Sequence, residues 1–164
     1  MANYTVALAG ANISPLILPE RSTGGGAFTA RYQIPYTVFQ AAGSSASADT
    51  ITVTLGTTPT TWIATSLLVD IPVAFAGSAA ASSFGCTIGT TTTATAFASS
   101  FSILTAGVYQ PPNGPGTVAT PASSTGVASV TFQAVLTCTC GFASSFTTGF
   151  MTILLGLYDP TATA

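Results

Sequence analysis

The chain reads as an all-β protein: a single β-sandwich of about eight strands wired as a jelly roll, with an extended N-terminal arm. Three observations predict this. Apolar residues that recur regularly do so with period two, as expected of strands that bury one face. Gly, Pro, Ser and Asn punctuate the chain between those runs. No segment carries a 3.6-residue apolar stripe bounded by helix caps. Many strands separated by such turns fit two packed sheets, and that packing limits open edges, which a chain without lysine has little means to guard.

A short strand fits Tyr4 to Leu8. Residues 9 to 27 follow with the Pro-bracketed run ISPLILPE and then Gly24, Gly25 and Gly26, a composition suited to an extended arm on a hinge. Within it Ile13, Leu16, Ile17 and Leu18 form an apolar knot held extended by Pro15 and Pro19, and these six residues are the expected contact with a neighbouring subunit. The alternative is that they pack back on their own domain as a first strand. The organisation is therefore residues 1–27, N-terminal strand and arm, and residues 28–164, sandwich.

From Phe28 to Val38 apolar and polar residues alternate through Tyr32, Ile34 and Tyr36, giving a long strand in which Pro35 favours an edge or a bulge. Ile51, Val53 and Leu55 alternate with Thr50, Thr52 and Thr54. From Ile63 to Phe75 the pattern puts Leu67, Val69, Ile71, Val73 and Phe75 on one face, with Ser66, Asp70 and Pro72 on the other. Short strands fit Cys86 to Gly89 and Ser100 to Leu104, with the Thr and Ala tract from Thr90 to Ala98 between them as a loop. Residues 110 to 126 are too rich in Pro and Gly for a central strand. A long strand runs from Ala128 to Cys140, and the last, Phe150 to Tyr158, is apolar on both faces and therefore central or buried between layers.

The tetrapeptide ASSF occurs three times, ending at Phe84, Phe101 and Phe146, at unequal intervals that exclude a solenoid or propeller. It reads as one small-residue turn used three times. Each Phe either begins the core face of a strand or anchors an oligomer interface.

Chemistry is limited by what the chain lacks. Only six of its 164 residues are charged, Glu20, Arg21, Arg31, Asp49, Asp70 and Asp159, and there is no histidine. A hydroxyl nucleophile needs a base beside it, so the many Ser and Thr do not make a hydrolase. The four carboxylates carry no pairing signal, and Gly24 to Gly26 lacks the Lys and Ser/Thr of a phosphate loop. No enzyme, cofactor or metal site is expected. Cys138 and Cys140, two apart, would share one face of a strand with Ala134 and Leu136. They read as small buried apolar groups, with a metal site or a redox pair with Cys86 as the alternatives. Asp70 interrupts a strongly apolar strand, either at an outward-facing position or as the partner of Arg31 in an ion pair that fixes register.

Polarity comes instead from hydroxyls: 30 Thr and 17 Ser, with 27 Ala, make up 74 of the 164 residues. Hydroxyls can be buried against a partner without the desolvation cost of an ion, so this composition favours assembly. Two arginines cannot neutralise a phosphate backbone, and nucleic acid is not an expected partner. No run reaches 18 apolar residues and the first residues lack a basic n-region, so neither a membrane span nor a secretory signal is expected.

From about Leu67 to Tyr158 the chain resembles the small β-sandwich virion proteins of tailed bacteriophages. The run LLVDIPVAFAG leads through a short strand ending in Gly, CTIG, to the Thr-rich tract TTTTATAFASS, then to TAGVY and two long final strands. Where such proteins often carry Asp in the Thr-rich loop, this chain has Thr. The resemblance implies a structural component of a phage particle, made in the host cytoplasm and resident on the virion. With the composition, it points to a capsid decoration or cement protein that binds the major capsid protein as a homo-oligomer, a trimer at local threefold axes. A tail or fibre component, or a receptor- or glycan-binding jelly-roll tip, is the alternative.

Overall fold

The structure, a computed structural model, describes residues 2–7, 30–42, 49–58, 63–77, 84–90, 93, 95–109, 132–140 and 143–158. In chain order these form β1 (Ala2–Ala7), β2 (Ala30–Pro35), helix α1 (Tyr36–Ala42), β3 (Asp49–Thr58), β4 (Ile63–Ala76) and β5 (Phe84–Gly89). There follow β6 (Ala98–Phe101), β7 (Gly107–Tyr109), β8 (Phe132–Cys140), a one-turn 3-10 helix (Ala143–Ser145) and β9 (Thr148–Tyr158). The described chain is mostly strand, as the alternation predicts. One sheet has the order β1-β3-β8-β5-β6 and the other β2-β9-β4-β7. Every pairing is antiparallel except that of β1 with β3.

Alternation converts directly into burial where the strands are regular. On β3, Ile51, Val53 and Leu55 are wholly buried while Thr52 and Thr54 are half-buried. Tyr32 and Ile34 of β2 point inward and Arg31 is exposed. β2 lies at a sheet edge, as Pro35 predicts, because there a missing N–H costs no ladder hydrogen bond. Side chains from both sheets join in one core: Ile51, Val53, Leu55, Cys86 and Ile88 from the first, and Ile34, Val69, Met151, Ile153 and Leu155 from the second. Each large aliphatic group buried there contributes about 1.5–3 kcal/mol.

Three expectations are corrected. The run predicted as strand to Val38 turns into α1 at Tyr36, immediately after Pro35. Seven residues are too few to display a helical period, yet the turn carries Phe39 into the core. Val73 is predicted on the core face and is instead 45% exposed, because the register of β4 against β9 slips between Asp70 and Val73. Pro72, which cannot donate to the ladder, is exposed in that slip. Thirdly, the strand expected from Ser100 to Leu104 is β6, starting at Ala98, and the separate strand β7 pairs with Val69 to Ile71 of β4.

Phe39 of α1, Phe75 of β4 and Phe146 close one end of the core. Their ring centroids lie 5.4, 6.3 and 5.8 Å apart, each pair edge to face. Two glycines make room for them. Gly149 has φ +138°, and a Cβ there would strike the Phe75 ring and approach its Cα to 2.7 Å. A Cβ on Gly77 would collide with the carbonyl of Ser145. Hydrogen bonds hold the corner: the Thr147 N–H donates to the Ala76 carbonyl at 2.9 Å and the Gln40 amide to the Phe146 carbonyl at 3.0 Å. At the opposite edge Phe101 of β6 stacks on Tyr109 of β7, with centroids 4.8 Å apart, tying one sheet to the other.

Phe101 and Phe146 are thus core residues, 6% and 0% exposed, and not oligomer anchors. The two ASSF copies ending there share no backbone conformation, one being a strand and the other a 3-10 turn. Both nevertheless bury the Ala and the Phe and leave the serines less buried. The third copy, with the side chain of Phe84, lies outside the described residues.

Truncating Phe146 to Ala is expected to lower unfolding free energy by about 3–5 kcal/mol. Ser99→Ala, at an exposed position of β6, should stay within about 0.5 kcal/mol of the parent. Chemical denaturation of both variants checks the contrast.

Candidate interaction surfaces

Since the inner faces of both sheets are consumed by the core, contact with other molecules falls to their outer faces. On the first sheet register aligns Thr5, Thr52, Thr137 and Thr87 in one row across β1, β3, β8 and β5. The next row is Asn3, Thr50, Thr139 and Gly85. Such a row places hydroxyl residues at facing register positions across four strands. The Thr87 Oγ1 is buried and has no hydrogen-bond partner among the described residues.

The second sheet has a different outer face. Arg31, Leu154 and Leu68 form one row across β2, β9 and β4, and Gln33, Thr152 and Asp70 the next, extended by Val108 of β7. Pro35, Phe150 and Val73 form a third. Leu68, Phe150 and Leu154 are half-buried, while Val73 and Val108 are 45% and 62% exposed. Arg31 and Asp70 supply the only charges in these rows.

The expected ion pair between Arg31 and Asp70 is not formed. Both sit on the outer face, but β9 lies between their strands, so they are roughly 10 Å apart laterally, twice the ~4.8 Å strand spacing. The outward-facing reading of Asp70 holds. Ile13, Pro15, Leu16, Ile17, Leu18 and Pro19, the expected contact residues of the arm, lie outside the described residues. Val73 and Val108 were not singled out from the sequence. The available signal was the apolar character of both faces of β9, which β4 with Val73 adjoins directly and β7 with Val108 one strand further out.

Cys138 is set by register between Ile51 and Cys86, and Cys140 between Asp49 and Phe84. Cys86 is wholly buried, which fits a small apolar group. Among the described residues no three His, Cys, Asp or Glu side chains gather as a metal site, and no helix is long and apolar enough to cross a membrane. Comparison with known proteins finds no matching family model, curated protein or solved structure.

Two predictions follow from the polar groups. Burial pushes the Tyr32 phenol above its ordinary value near 10. Above about pH 10 the unfolded chain therefore ionises at this position before the folded one does. The unfolded state then binds fewer protons, so stability falls as pH rises, whereas below pH 10 the contribution is constant. Tyr32→Phe should flatten that alkaline decline, measured as the denaturation midpoint from about pH 8 to 11. Replacing Thr87 by Val removes this buried hydroxyl, which has no partner among the described residues, and should raise stability by about 1 kcal/mol in the same assay.

Proposed function

We propose that this chain is a non-enzymatic structural protein of a tailed-phage particle, a capsid decoration or cement protein that binds the major capsid protein as a homo-oligomer. One observation carries the reading: a chain with six charges in 164 residues presents sheet faces of hydroxyl and apolar side chains. Surfaces of free-standing domains normally carry about 25–35% charged residues. Neutral faces of this kind suit permanent contact with other subunits, and the likeness of residues 67–158 to phage virion proteins supplies the particle.

We further propose that the two sheets form a single jelly-roll sandwich. Leaving β1 aside, the orders β2-β9-β4-β7 and β3-β8-β5-β6 send the chain from one sheet to the other at most connections, and first and last strands lie side by side. That order supports the wiring of two Greek keys rolled together, an architecture used by viral capsid and lectin domains. The fold alone does not choose between those uses, and the composition favours the first.

Bridging would work mechanically. A protein seated across neighbouring capsid subunits adds its own contacts to those that internal pressure must break. Because those contacts are apolar and hydrogen-bonded, salt screens them little.

The test is to follow the protein through purification of heads and tails. It should accompany heads, and remain on them from low to molar sodium chloride and from about pH 5 to 9, where the chain has almost nothing to titrate. Accompanying tails would make it a tail or fibre component, and accompanying neither would overturn the virion reading. β1 belongs to the first sheet, so the arm is tested by substitution and not by terminal deletion. Replacing Ile13, Leu16, Ile17 and Leu18 together with Ser should abolish head binding with the thermal transition retained. Loss of the transition would assign these residues to the protein's own fold.

A further inference from the structure

We propose that Cys86 and Cys138 close into a disulfide that staples β5 to β8 when the protein meets a small-molecule disulfide as oxidant, while Cys140 stays a thiol. The chain holds three cysteines in 164 residues. Register sets two of them directly opposite each other, Cys86 of β5 facing Cys138 of β8 on paired antiparallel strands. Cys140 faces Phe84 on one side and Asp49 on the other. Packing asks only for a small apolar group at either position, which Ala or Val would supply. Cysteine at both facing positions adds what those residues lack, the capacity to form a bond.

Backbone spacing decides which two cysteines can join. Directly opposed residues of an antiparallel pair have Cα atoms about 4.5–5.5 Å apart and Cβ atoms over about the same range. A disulfide spans about 4.4–6.8 Å between Cα atoms and about 3.5–4.5 Å between Cβ atoms, so both requirements meet at Cys86 and Cys138. Cys140, two residues further along β8, is a diagonal neighbour of Cys86 at about 7–8 Å, beyond the ~7 Å that can be bridged without moving backbone. Residues two apart on one strand lie about 6.6 Å apart at Cα and as far apart at Cβ, which rules out Cys138 with Cys140. The reaction is thiol–disulfide exchange. One cysteine thiolate attacks the oxidant and expels its first thiol, and the second cysteine attacks the resulting mixed disulfide and expels the other. Two electrons and two protons pass to the oxidant, which leaves as two thiols. Cys86 is wholly buried, so the exchange needs an opening. β6, which flanks β5 on the side away from β8, is a four-residue edge strand whose register slips between Cys86 and Ile88. Such an edge opens at less cost than the centre of the sheet. The bond then closes a loop from Cys86 to Cys138 that contains β6 and β7, whatever the protein binds.

The test is to purify the full chain under reductant and expose it to oxidised glutathione with a trace of the reduced form, one sample folded throughout and one during refolding from denaturant. Remaining thiols are then alkylated in denaturant and counted by intact mass. The reduced chain should take three labels. After oxidation either sample should take one label, with the mass of the unlabelled chain lower by about 2 Da, and chymotryptic mapping should join the peptides of Cys86 and Cys138 and find the label on Cys140. Cys140→Ala should cross-link as the parent does, and Cys138→Ala should keep both of its thiols. The thermal transition of the oxidised parent should lie about 5–15 °C above that of the reduced parent, a difference absent in Cys138→Ala. Three labels in both oxidised samples overturn the proposal. So does a bond from Cys140 to either other cysteine, a cross-link between chains in place of one within the chain, or a linked chain that melts no higher than the reduced one. The parent alone decides these outcomes, so a variant that fails to fold leaves the test intact.

Discussion

Met151, Ile153 and Leu155 of β9 are wholly buried, flanked in their own sheet by β2 and β4 and joined in the core by Ile51, Val53, Leu55 and Ile88 of the other. This apolar contact between two inner faces is what the remaining structure depends on. With 4% charged residues the chain has little electrostatic stabilisation to draw on, and its ladders need a dry side to hold them together. The regular alternation of β3, with Thr outward and aliphatics inward, expresses that requirement in sequence.

Closure of the core at its ends requires other devices. At one end three phenylalanines from α1, β4 and the segment before β9 meet edge to face, and the backbone yields to them at Gly77 and Gly149. At the other edge the Phe101 and Tyr109 rings stack between the two outermost strands. Both closures use aromatic area, which brings large burial from few residues in a chain otherwise dominated by Thr, Ala and Ser.

The same economy of charge shapes the outside. Thr rows on one sheet and an apolar field with one Arg and one Asp on the other are surfaces whose burial entails little ionic desolvation. The proposed capsid and self contacts both draw on this property. Hydroxyl and aliphatic faces are tolerable in water and favourable against a partner, whereas an ion-rich face would have to be neutralised first.

Much of the local architecture was legible from residue order alone. The all-β class, the inward faces of β3 and of β4 as far as Ile71, the edge position of β2 and the two apolar faces of β9 follow from side-chain period and from the missing N–H of Pro35, properties a strand carries by itself. Tertiary structure decided the rest. Phe146 and Phe101 became core and not interface because rings from distant segments meet them there. Val73 turned outward because β4 had to slip against β9, and Tyr36–Ala42 became helix although its apolar pattern continued that of a strand. Arg31 and Asp70 were separated because β9, more than a hundred residues later in the chain than β2, inserted between their strands. A period is a property of a few neighbouring residues, whereas strand order, slips in register and ring contacts arise from pairings between remote ones. Those pairings are chosen by the free energy of the whole packed core.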